Sequence, residues 1–159
     1  MVKSIQYTIN SPEEMIKLGQ KLGELCCGGE NIYLIGELGA GKTVFVKGLA
    51  LGLHVPEVIT SASFVLVQVY HGRLPLYHID LYRLDSPLQL EILGLDEIME
   101  ECGVVAIEWA DLFLTSLAPE YLEVKIIYMG DKRQVVMRGN NGLYCNILER
   151  MEQSVNFSL

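Results

Sequence analysis

Eight consecutive residues, Gly36-Glu37-Leu38-Gly39-Ala40-Gly41-Lys42-Thr43, satisfy the pattern G-x-x-x-x-G-K-[ST] at every position. The chemistry of such a run is phosphate binding. Glycines permit a turn whose N–H groups point inward, a lysine supplies a point charge, and a hydroxyl can sit on a divalent cation. A helix starting at the same place adds the positive end of its dipole. Glu37, Leu38, Gly39, Ala40, Gly41, Lys42 and Thr43 are therefore expected to hold a nucleotide, with Lys42 on the β- and γ-phosphates and Thr43 on Mg²⁺.

A nucleoside triphosphatase also needs a carboxylate at the tip of a neighbouring strand. Two apolar runs end in an acid, Leu76-Tyr77-His78-Ile79-Asp80 and Val104-Val105-Ala106-Ile107-Glu108. Both acids would lie at strand carboxyl ends, where open α/β sheets bind ligands. Thr60, Ser61 and Ser63, followed by Phe64, fall where a nucleotide-sensing loop would lie, and as residue types they suit an ordinary turn equally well. Trp109 follows Glu108 and either stacks on a partner or packs the site. His54, His71 and His78 lack metal-ligand spacing and read as structural, His78 being nearest the acids.

The elements that must position these groups are legible. Alternation over residues 5–9 predicts a half-buried strand, and Ser11-Pro12 then opens a helix running to about Cys27, stopped by Gly28-Gly29. Residues 32–35 form an unbroken apolar run, as in a parallel strand covered on both faces, and residues 42–53 suit a helix packed on it. Residues 64–70 and 74–79 predict two strands around a turn at His71-Gly72-Arg73. Residues 88–102 predict two acidic amphipathic segments divided near Gly94, followed by a buried strand over 104–107. Residues 122–128 and 133–137 flank Gly130-Asp131-Lys132 as a β-hairpin, and residues 143–159 form a helix or tail. The expected fold class is α/β: a three-layer fold with a mixed central sheet and an antiparallel hairpin near the C-terminus.

Composition limits the possibilities further. The 159 residues suit one domain, and 50% hydrophobic content with a mean hydropathy of +0.29 supplies a core. No run is long enough to span a membrane and the start lacks the apolar stretch of a signal peptide, so a soluble, cytoplasmic protein is expected. A net charge of -8 disfavours autonomous binding to a phosphate backbone. The four cysteines, Cys26, Cys27, Cys102 and Cys145, have no redox or metal spacing and are expected to be reduced and inert.

Taken together, the phosphate loop, Thr60-Ser61-Ala62-Ser63-Phe64, His78-Ile79-Asp80-Leu81-Tyr82-Arg83-Leu84 and Glu108-Trp109 resemble the TsaE family, in order and spacing, over roughly residues 5–140. These are bacterial ATPases required for threonylcarbamoyladenosine in tRNA. The resemblance implies a P-loop fold with a mixed sheet, ATP hydrolysis that is slow in isolation, and a complex with TsaB and TsaD through which tRNA is reached only indirectly. It further implies that Thr43 and Glu108 are associated with Mg²⁺, and that Asp80 activates water or supports the metal. Asn10-Ser11 and Lys132-Arg133 would approach the nucleotide. The family's switch segment usually reads Ser-Pro-Thr-Phe; here Ala62 and Ser63 replace its proline and threonine, so the fixed φ is lost and a hydroxyl is kept.

Three functions compete at this stage. An Mg²⁺-dependent ATPase would use Lys42 and the metal to offset phosphoryl charge, with Glu108 or Asp80 orienting water. A small-molecule kinase would share the loop, but it usually needs lid arginines, and none occurs between Arg83 and Arg133. A nucleotide-gated binding module would order residues 58–64 for docking with negligible hydrolysis. The absence of an Asn-Lys-x-Asp guanine signature favours ATP over GTP.

Overall fold

Alternation in Lys3–Ile9 turns Ile5 and Ile9 into the core and makes this segment strand β1. The computed structural model describes residues 2–60, 66–95, 97 and 102–155. Helix α1 (Pro12–Leu25) starts as its sequence predicts: Ser11 Oγ accepts the Glu14 N–H at 3.2 Å, and the Glu14 carboxylate accepts the Asn10 N–H at 2.8 Å. The helix stops at Leu25, short of Cys27, because the Glu30 carboxylate takes the N–H groups of Cys27 and Gly28, each at 2.8 Å. That pair of charge-assisted bonds replaces the next helical turn.

Strand β2 (Asn31–Gly36) leads through the glycine-rich loop into α2 (Lys42–Gly52). Then come β3 (Val67–His71), β4 (Pro75–Asp80), the short helix α3 (Pro87–Leu93) and β5 (Val104–Glu108). Two 3₁₀ turns precede the hairpin of β6 (Leu122–Met129) and β7 (Lys132–Gly139), and α4 (Gly142–Ser154) closes the order. Thus β7 already begins at Lys132, leaving Gly130-Asp131 as the turn. The expected strand over 64–70 is described from Val67 onward. Most of the second acidic segment expected after Gly94 lies outside the described residues.

Among the described residues seven strands form one sheet, in the order β1-β7-β6-β2-β5-β4-β3. The four central strands run parallel, with β2 pairing to β6 and β5, and β5 to β4. The edges are antiparallel, through β1–β7, β6–β7 and β3–β4. Parallel pairing brings the carboxyl ends of β2, β4 and β5 to one edge of the sheet, which is what a shared site requires.

One sheet face is covered by α1, α2 and α4, and the other by α3 and the 3₁₀ turns, giving two apolar clusters. Helices α1 and α2 pack backbone to backbone through Gly19 and Gly23 on one and Gly48 and Gly52 on the other. A Cβ at Gly48 would lie 2.1 Å from the Ile16 carbonyl oxygen, and one at Gly19 2.3 Å from that of Phe45. The β3–β4 turn docks on the ends of both helices: Arg73 donates to the carbonyls of Cys26 at 3.0 Å and Gly23 at 2.7 Å, and its own N–H bonds Leu53 O at 2.6 Å. A cation at two helix carboxyl ends complements their dipoles. All four cysteines are free; Cys26 and Cys145 are buried, whereas Cys27 and Cys102 are exposed. Among the described residues no helix is long and apolar enough to cross a membrane.

Candidate functional site

The loop after β2 folds through two left-handed residues, Gly39 at φ +80 and Gly41 at φ +117, a region that side chains with a Cβ rarely enter. The β6–β7 hairpin fixes its orientation from outside. Tyr128 Oη donates to the Leu38 carbonyl at 3.1 Å, and Arg133 Nε donates to the Ala40 carbonyl at 3.1 Å. Across a planar trans peptide, a carbonyl facing one way turns the following N–H the other. The amides of Gly39 and Gly41 are therefore directed away from the hairpin, as an anion cradle needs.

Lys42 and Thr43 begin α2 beside this cradle. Lys42 is 4% exposed; its Nζ donates to the Gly36 carbonyl at 2.6 Å and lies 3.6 Å from the centroid of the Trp109 ring. Burial pushes the Lys42 pKa below its ordinary 10.5, while the negative charges of Glu108, Asp80 and Asp111 pull it back up. Trp109 takes a left-handed backbone, φ 64, directly after β5, and its N–H bonds the Leu34 carbonyl at 3.3 Å. Tyr82 packs on the Trp109 ring at 4.9 Å between centroids. Cation and aromatic face thus form a prearranged pair.

Asp80 and Glu108 are direct partners in the β4–β5 register, and both are buried at 3% and 4% exposure. The Glu108 Oε2 atom accepts from Thr43 Oγ1 at 3.3 Å and lies 2.5 Å from His78 Nε2. The Asp80 Oδ1 atom accepts the Tyr82 N–H at 2.9 Å. Lys42, Thr43, Asp80, Tyr82, Glu108 and Trp109 line one cleft of about 220 Å³ together with Leu38, Gly39, Gly41 and Val44. A hydroxyl and carboxylates on a buried floor, facing a lysine, suit a polyphosphate with a hard divalent cation.

A second cleft of about 240 Å³ lies across the loop, lined by Ile9, Asn10, Ser11, Pro12, Met15, Gly39, Ala40, Gly41, Val44, Asp131 and Arg133. It shares the loop glycines with the first, so one elongated ligand could occupy both. Asn10, Ser11 and Arg133 are thus brought to the site. Lys132 is exposed opposite Met129 and is not among the residues lining either cleft; neither is Glu37, whose carbonyl accepts the Ala40 N–H at 3.0 Å. Thr60 is exposed, and Ser61, Ser63 and Phe64 lie outside the described residues. The sequence alone gives Tyr82 no role beyond its place in the His78–Leu84 motif, gives Tyr128 none, and leaves His78 structural, the histidine nearest the acids. The period of two in β4 is the one signal that places His78 on the same sheet face as Asp80; nothing local marks Tyr128.

Comparison with known proteins gives an independent line. The model of the family described as "Threonylcarbamoyl adenosine biosynthesis protein TsaE" matches residues 9–135. The TsaE protein of Treponema pallidum is 42% identical over 129 residues, covering 79% of this chain and 95% of the relative. That of Bacillus subtilis is 34% identical over 159 residues, covering 99% of both. The crystal structure of Bacillus subtilis YdiB superposes with a TM-score of 0.86 at 32% identity, covering 98% of this chain and 99% of that one. By family match, by identity over nearly its whole length and by fold, the chain belongs to the TsaE family of tRNA threonylcarbamoyladenosine biosynthesis proteins.

Proposed function

We propose that this protein is a cytoplasmic, Mg²⁺-dependent ATPase that supports threonylcarbamoyladenosine modification of tRNA in a complex with TsaB-like and TsaD-like proteins. The observation that carries this reading is the convergence of Lys42, Thr43, Asp80 and Glu108 on one cleft beside the phosphate cradle. The donor set fits the metal: a hydroxyl and a carboxylate oxygen 3.3 Å apart are hard ligands, and Mg²⁺ takes one or two protein oxygens with phosphate and water completing its shell. When bound, the ion would neutralise charge developing on the β- and γ-phosphate oxygens.

The residues divide the work by position. Main-chain amides of the loop hold the β-phosphate. Lys42 exchanges its bond to the Gly36 carbonyl for phosphate oxygens, and the desolvated ammonium acts strongly there because little water screens it. Thr43 and Glu108, already in contact, form the metal side. Asp80, the register partner of Glu108 on the neighbouring strand and a lining residue of the same cleft, orients water. The water oxygen bonds the γ-phosphorus as the bond to the β-phosphate oxygen breaks; ADP leaves with that electron pair and the water's proton passes to Asp80. The second cleft takes the nucleoside, between Asn10-Ser11 and the hairpin.

Turnover of ATP by the purified protein with its TsaB and TsaD partners, beside a Lys42→Ala control, tests the proposal. Hydrolysis well above the control is expected. Equal rates for the two proteins would overturn it.

A further inference from the structure

His78 carries no role in the scheme above, yet its placement is not that of core filler. It is 0% exposed, at the middle of β4, and its Nε2 lies 2.5 Å from Oε2 of Glu108. The same oxygen accepts the Thr43 hydroxyl. A carboxylate oxygen is an acceptor only, so Nε2 is the donor in this contact, and Nδ1 has no hydrogen-bond partner among the described residues. A buried ring with one nitrogen committed to Glu108 and the other to nothing is held for the sake of the first contact.

We propose that His78 is a positioning residue for the metal-side carboxylate, its Nε2–H fixing one oxygen of Glu108 so that the carboxylate meets Thr43 and a divalent ion in a single orientation. This inference rests on the Mg·ATP reading of the cleft. The physical reason is entropic and electrostatic. A glutamate has three rotatable bonds, and a short bond from a rigid, packed ring removes that freedom before the ligand arrives. His78 touches neither loop nor cradle among the contacts described, so its effect should fall on metal affinity and leave metal-free nucleotide binding alone.

The experiment compares wild type with His78→Gln, His78→Asn and His78→Leu. A Gln amide nitrogen overlays Nε2 and can donate to Glu108, an Asn amide overlays Nδ1 and cannot, and Leu has no donor. Metal-free ATP affinity is measured by calorimetry, and Mn²⁺ binding to the protein–nucleotide complex by electron paramagnetic resonance. Metal affinity should fall about tenfold or more in the Asn and Leu proteins and be largely restored in the Gln protein, with metal-free ATP affinity the same in all. If the Leu protein does not fold, the Gln and Asn pair decides. Equal Mn²⁺ affinity in Gln and Asn proteins, or loss of metal-free ATP binding in step with Mn²⁺, overturns the proposal while wild-type binding leaves the site reading standing. Absence of ATP binding in the wild type overturns both.

Discussion

Replacing Gly48 by alanine should destabilise this protein, although the same change in an isolated helix would stabilise it. Alanine is favoured over glycine in a helix interior by about 1 kcal/mol. Here the added Cβ would meet the Ile16 carbonyl oxygen at 2.1 Å, its carbon at 2.8 Å and its Cα at 2.9 Å, all backbone atoms of α1. No side chain can rotate away, so the helices must part, and overpacking of that kind costs about 3 kcal/mol, the upper end of the usual range. The net loss is about 2 kcal/mol, or a melting temperature lower by about 4–8 °C in a protein of this size. Because α2 begins with Lys42 and Thr43 and α1 begins beside Asn10 and Ser11, parting the helices also moves the walls of the second cleft, and ATP affinity should fall with stability. The assay is thermal unfolding with Gly142→Ala as control, since nothing lies within 4 Å of a Cβ there; that variant should match wild type or gain up to about 1 kcal/mol. A Gly48→Ala protein melting at or above wild type would refute the close-packing argument.

Other expectations concern the site. Lys42 has its folded pKa lowered below 10.5, so between that lowered value and 10.5 the folded chain binds fewer protons than the unfolded one and this residue's contribution to ligand-free stability rises with pH. Over the same alkaline window a triphosphate must restore the proton, so ATP affinity should drop about tenfold per pH unit; calorimetry on wild type and Lys42→Arg checks this, and an equal decline in both would argue against it. Tyr128→Phe removes the bond that turns the Leu38 carbonyl outward, worth about 1 kcal/mol, and should weaken ATP binding about fivefold in an equilibrium titration. Trp109 is the chain's single tryptophan and Lys42 lies over its ring, so withdrawal of Lys42 onto phosphate should change intrinsic fluorescence in wild type and leave Lys42→Ala unchanged. Glu108→Ala with the partners separates hydrolysis from gating: loss of tRNA modification with assembly intact supports the ATPase, and retained modification supports the binding module.

Local patterns settled much of this protein. The loop over residues 36–43 is contiguous, and its glycine-borne turn into the following helix is backbone geometry that eight residues specify among themselves. The acids Asp80 and Glu108 were legible because a parallel strand that ends in a carboxylate delivers it to one known edge of the sheet. Ser11 and Pro12 announced α1 through capping, which is also local. What the sequence left open depends on residues far apart in the chain. The Tyr128 and Arg133 contacts with the loop exist because antiparallel β6–β7 lies beside β2, an adjacency no local signal encodes. The glycines of α1 and α2 have the spacing of a close contact, yet only the docked helices show that both rows meet backbone. His78 became more than a core residue only when β4 and β5 paired in register and brought Glu108 to its Nε2, because strand pairing is decided by the burial of whole faces and not by any one side chain.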